Sequence, residues 1–163
     1  MELPEDNPDI ISLYLHFLYT GELAVLPWPE PEGYKGHEER LNLSHLFVLA
    51  EKLQNTAAKN EIVKAMAESS GILREDECYW YPNFGAIEII YSGTTEASPI
   101  RKLMVDMYVH NLRSSWKSHG APAEFPEDVT VELLKHRETC RPDTTRGRYN
   151  VEAYLEENKG YNL

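Results

Sequence analysis

Between Asn7 and Gly21 the chain reads as one helix with almost no polar side. Asn7-Pro8-Asp9 starts it: asparagine can accept from the free amides, proline suits the first helical position, and aspartate favours the positive end of the helix dipole. Ile10, Ile11, Leu13, Tyr14, Leu15, Phe17 and Leu18 then spread round most of the circumference, and Gly21 can close the helix in a left-handed conformation. Such a helix needs cover on several sides. Each large apolar side chain left wet forfeits about 1.5–3 kcal/mol, and several together rival the stability of a whole domain. The chain is therefore expected to fold its later helices onto this face, or to need a partner there.

The residues that follow supply more helices and one short strand. Glu22–Leu26 is a strand candidate stopped by Pro27, and Pro27–Gly36, with three prolines and two glycines, is an exposed loop. A helix from about Asn42 to Leu53 carries Leu43, Leu46, Phe47, Ala50 and Leu53 on one stripe. Thr56 can cap a second helix, with Ala58, Ile62, Ala65 and Met66 inward, ended by Ser69-Ser70-Gly71; so short a turn makes the two an antiparallel hairpin. After Glu75-Asp76-Glu77 and the aromatic run Tyr79-Trp80-Tyr81-Pro82, a helix from about Asn83 to Tyr91 buries Phe84, Ile87 and Tyr91 and ends at Gly93. Ser98-Pro99 opens another, carrying Ile100, Leu103, Met104, Met107, Tyr108, Leu112 and Trp116. The last, about Pro126 to Glu138, uses Val129, Leu133 and Leu134, with Phe125 as a staple. Beyond Cys140 the apolar period fails, which predicts a flexible tail with at most a short helix at Val151–Glu157. No internal repeat is visible.

Two motifs carry a resemblance. Asp9-Ile10-Ile11-Ser12-Leu13-Tyr14-Leu15-His16-Phe17-Leu18-Tyr19-Thr20-Gly21-Glu22-Leu23 resembles the F-x-x-x-L-x-F-L-Y-T-G-x-L signature in the second half of BTB/POZ domains. Leu46–Gln54 with Ala57-Ala58-Lys59-Asn60 is similar to that family's next helix pair. Trp80-Tyr81-Pro82, Ile89–Thr94 and Ser98–Asp106 resemble the extension that follows the BTB region in many filamentous-fungal proteins. The resemblance implies a mainly α chain with an α+β remnant. Residues 1–70 would be the C-terminal half of a BTB/POZ fold (helix, short strand, helical hairpin), residues 71–138 a helical extension and residues 139–163 a flexible tail. The family's opening strand, its F-x-V-H-K-x-x-L segment and its S-x-x-F helix have no counterpart here. Much of the family's dimer surface lies in that half, so its homodimerisation does not carry over.

Charge narrows the partners. Sixteen Lys and Arg stand against twenty-seven Asp and Glu, for a net charge of −11. Residues 1–40 hold nine acids and two bases, residues 41–100 eight and four, and residues 101–163 ten of each, so all of the excess lies in residues 1–100. An acidic front half repels phosphate backbones, which argues against nucleic acid. The basic residues Arg137, Arg141, Arg146 and Arg148 are interrupted by Glu138 and Asp143. No apolar run nears the ~20 residues of a membrane span, and the start of the chain lacks the order of a signal peptide. Cys78 and Cys140 form neither a CxxC pair nor a disulfide framework. An intracellular protein, cytoplasmic or nuclear, with reduced thiols is expected; the sequon Asn42-Leu43-Ser44 then carries no glycan.

Candidate chemistry is sparse. Ser12 and His16 stand one turn apart, but a nucleophile and base also need an orienting acid and an oxyanion hole. His136 and Cys140 could give zinc two ligands, and only a convergence with Cys78 and His119 would complete four. Glu75-Asp76-Glu77 lacks the spacing of a calcium loop, and packing suits Tyr79-Trp80-Tyr81 better than base stacking does. No GxxxxGK[ST], GxGxxG or GxSxG occurs. The expected function is accordingly a non-enzymatic protein–protein interaction module, without cofactor, metal or small-molecule substrate. The resemblance implies partners at the YTG helix, in some family members the cullin scaffold of a ubiquitin ligase. The residues expected to bind are Tyr14, His16, Phe17 and Tyr19, with Trp28 and Tyr34 in the adjoining loop; Trp28 either recognises a partner or folds back onto the domain. The alternative is a truncated BTB relative that acts only by pairing with an intact BTB chain.

Overall fold

The computed structural model describes residues 7–25, 36–74, 77–111, 120–139 and 151–156. These form α1 (Pro8–Thr20), α2 (His37–Lys52), α3 (Thr56–Ser70), α4 (Phe84–Gly93), α5 (Pro99–Asn111), α6 (Glu124–Thr139) and a 3-10 turn at Val151–Tyr154. The fold is thus mainly α. No described helix is long and apolar enough to cross a membrane.

Asparagines set three of the helix starts, since a short side-chain carbonyl can take an amide that the first turn leaves free. Asn7 accepts from the Asp9 amide at 2.9 Å, Asn55 from Ala58 at 3.0 Å and Asn83 from Ala86 at 3.0 Å. Asn55, rather than the expected Thr56, is therefore the cap of α3. Gly21 closes α1 at φ 76°, its amide donating to the Phe17 carbonyl at 2.7 Å. This left-handed turn suits a residue without a Cβ.

The helix α2 is the centre of the packing: α1, α3 and α4 lie against it, α5 against α4, and α6 against α5. Leu43, Leu46, Phe47, Leu49 and Ala50 of α2 meet Ile62, Val63 and Met66 of α3, with Ile87 and Ile90 of α4, in one core that continues to Ile100, Leu103, Met104, Phe125 and Val129. Helices from both sides of residue 70 thus share that core. Phe125, expected as a staple ahead of the last helix, lies within α6, fully buried and edge-on to Tyr91 and Tyr108 at ring distances of 5.6 and 5.0 Å. Burial pushes the Tyr108 phenol up to about 12, its hydroxyl donating to the Pro82 carbonyl at 2.7 Å. Burial, and then the neighbouring Asp128 carboxylate, likewise raise Tyr91.

Several expectations are corrected. Residues 22–25 form no strand: the described residues offer no neighbouring strand, and the segment instead serves to bury Val25. Leu26 lies outside the described residues. The helix expected from Asn42 begins at His37, because its first inward positions are polar: Glu39 and Arg40 are buried and tied to α3. Arg40 donates to Ser69 Oγ at 3.1 Å, and Ser69 donates to Glu39 at 2.8 Å. Leu53 falls past the last turn of α2 and is exposed. Leu134 is also exposed: nine residues beyond Phe125 is half a turn out of phase with it, while Leu133 packs inward. Leu112 and Trp116 lie outside the described residues.

Part of the stretch expected to be a flexible tail is docked. Val151–Glu156 lies against α3 and α5, with Tyr154 buried and Val151 and Leu155 packed on the core. Residues 140–150 and 157–163 lie outside the description.

Candidate interaction surface

Among the described residues, helix α1 is held along one side only. Ile10 and Tyr14 point into the core, Ile11, Leu13 and Phe17 lean on it, and the packing partner is α2. Of the two outcomes expected for α1, cover by the extension helices or need of a partner, the first is not seen among the described residues, where α4 packs on α2, α5 on α4 and α6 on α5. Leu15, Leu18 and Tyr19 remain 47%, 52% and 88% exposed. Together with Ile11, at i, i+4, i+7 and i+8, they make an apolar stripe beside the buried face.

The expected binding residues separate accordingly. Tyr14 is buried, and its hydroxyl accepts from Asn55 Nδ2 at 2.8 Å, so it ties α1 to the start of α3 and is not available to a partner. Phe17 is half-buried against the core. His16 and Tyr19 are exposed, whereas Trp28 and Tyr34 lie outside the described residues. Leu15 and Leu18 were not singled out, although a helix apolar at seven of nine positions from Ile10 to Leu18 has more such residues than one buried face can take. Glu22, exposed just beyond the helix, and Asp9 in its first turn place acids at both ends of the stripe.

The chemical candidates are less developed. Ser12 and His16 are both exposed on α1. Cys140 and His119 of the imagined zinc set lie outside the described residues, as do Glu75 and Asp76. Among the described residues no three His, Cys, Asp or Glu side chains gather as metal ligands would. The aromatic run divides: Tyr79 is half exposed, Trp80 meets His37 edge-on at 5.2 Å, and Tyr81 packs on the core. Comparison of the chain with family profiles, with curated proteins and with solved structures gives no match.

Proposed function

We propose that this chain is a non-enzymatic protein–protein interaction module of BTB/POZ type, with the outer side of α1 as its docking surface. The observation that supports the reading most is the exposed stripe of Leu15, Leu18 and Tyr19 on a helix whose other side is firmly packed. An apolar stripe on a rigid helix is the kind of surface that a partner helix or groove covers. The motif resemblance of residues 9–23 adds the partner class, a cullin scaffold of a ubiquitin ligase. The acidic surroundings favour a partner that is basic or apolar at the contact.

Pull-down with the N-terminal region of a cullin tests this. The chain is expected to be retained, and Leu15→Glu with Tyr19→Glu to abolish retention. No retention under conditions that hold a known adaptor overturns the cullin reading. The same stripe would serve pairing with an intact BTB chain, which light scattering of the mixture detects as a summed mass.

A further inference from the structure

Two charged side chains are almost fully buried where the segment from Val151 lies against α3 and α5: Lys59 on α3 and Asp106 on α5, each 7% exposed. Both are met by the same short segment, far away in sequence. Glu156 grips the Lys59 ammonium through both carboxylate oxygens, at 2.8 and 2.7 Å, while Glu51 pairs with it at 2.9 Å. Burial alone would lower the Lys59 pKa, but the two carboxylates outweigh it and hold the ammonium above its usual value. Tyr154 donates its hydroxyl to Asp106 Oδ2 at 2.5 Å, the contact that satisfies this carboxylate among the described residues. Asn60 reads the main chain in both directions: its amide donates to the Glu156 carbonyl at 3.1 Å, and its oxygen accepts from the Glu156 amide at 2.9 Å. Val151 and Leu155 add apolar contact.

A 3-10 turn that presents separate side chains, followed by main-chain pairing at Glu156, gives the cleft both backbone and side-chain contacts by which to read a short peptide. We propose that the cleft between α3 and α5 is a docking site for acidic, tyrosine-containing peptides of the pattern Val-x-x-Tyr-Leu-Glu, and that Val151–Glu156 is its tethered occupant, which a partner peptide must displace. The chemistry fixes the ligand on two points. Lys59 calls for a carboxylate two residues after the tyrosine. Asp106 calls for a neutral hydroxyl donor, so a phosphotyrosine in its place brings like charge against a buried carboxylate and is rejected. Release is within reach because the segment is short and the Glu156 side chain is still 30% exposed. This inference does not depend on α1 or on the proposed partner class.

The test uses the full-length chain and a fluorescein-labelled peptide, Val-Glu-Ala-Tyr-Leu-Glu, followed by anisotropy. A tethered segment competes at an effective concentration on the order of millimolar, so wild type should bind the free peptide weakly. Tyr154→Ala with Glu156→Ala loosens the occupant and should tighten peptide binding at least about tenfold. Adding Lys59→Met, or using the phosphotyrosine peptide, should cost at least about tenfold again. Circular dichroism checks that each variant keeps its helices. Should the double variant lose them, Tyr154→Phe keeps the ring packing and removes one hydrogen bond, and it must still bind the peptide more tightly than wild type. Absence of saturable binding to a folded variant, or binding indifferent to Lys59→Met, overturns the proposal.

Discussion

Gly93 shows how one residue carries two meanings. It ends α4, as a glycine after an apolar run suggests, but a Cβ there would overlap the Val48 side chain of α2. The close approach of α4 to α2 depends on that missing atom. Gly93→Ala should therefore destabilise by about 1–3 kcal/mol through overpacking, even though alanine is the better helix former by about 1 kcal/mol. Urea unfolding reads the loss, and Val48→Ala in the same chain should recover part of it; a stabilised Gly93→Ala would disprove the contact. The cap Asn7 was legible because its chemistry is local. Arg40 was not, because a buried arginine is identified by its distant partners, here Ser69 and Glu39, and not by its own neighbours in sequence.

At the scale of the element, α1 was legible as a helix and as one with too many apolar residues, whereas its choice of buried side was not. Periodicity marks which residues share a face, but when apolar residues occupy most of the circumference it no longer singles one out. The packed side is set by what α2 presents, so Tyr14 went inward and Leu15 and Leu18 stayed out. This predicts a sharp asymmetry. Leu15→Glu with Leu18→Glu should shift stability by no more than about 0.5 kcal/mol per site and reduce binding of dyes that report apolar surface. Ile10→Ala, on the same helix, should cost about 2–5 kcal/mol. Equal losses in urea unfolding would show that the outer stripe is covered. The strand expected after α1 failed for a related reason: a short apolar run does not make a strand when no neighbour among the described residues offers backbone groups to pair with.

At the scale of the molecule, the helices before and after residue 70 share a core, so the fold should unfold in one cooperative transition. Its alkaline limit follows from Tyr91, Tyr108 and Lys59, which all hold their protons more tightly when folded. A group with a raised folded pKa stabilises fully below its unfolded value and loses that contribution as pH rises through the folded value. For Tyr108 the window runs from the ordinary value of 10.0 to about 12. The melting temperature should accordingly fall steeply above pH 10, and Tyr108→Phe should make the fall shallower; a melting temperature flat to pH 12 would contradict this. The docking of residues 151–156 was hidden from sequence because its anchors, Tyr154 and Glu156, have no apolar period to announce them.

The contact between Lys59 and Glu156 spans 97 positions in the chain. At the usual pace of synthesis, Lys59 leaves the ribosome about 5–20 s before its partner exists. Glu51, already made and 2.9 Å away in the finished fold, is the carboxylate that can hold the ammonium during that interval. It acts as a placeholder in time: α2 and α3 can join early around a charge whose final partner has not yet been translated.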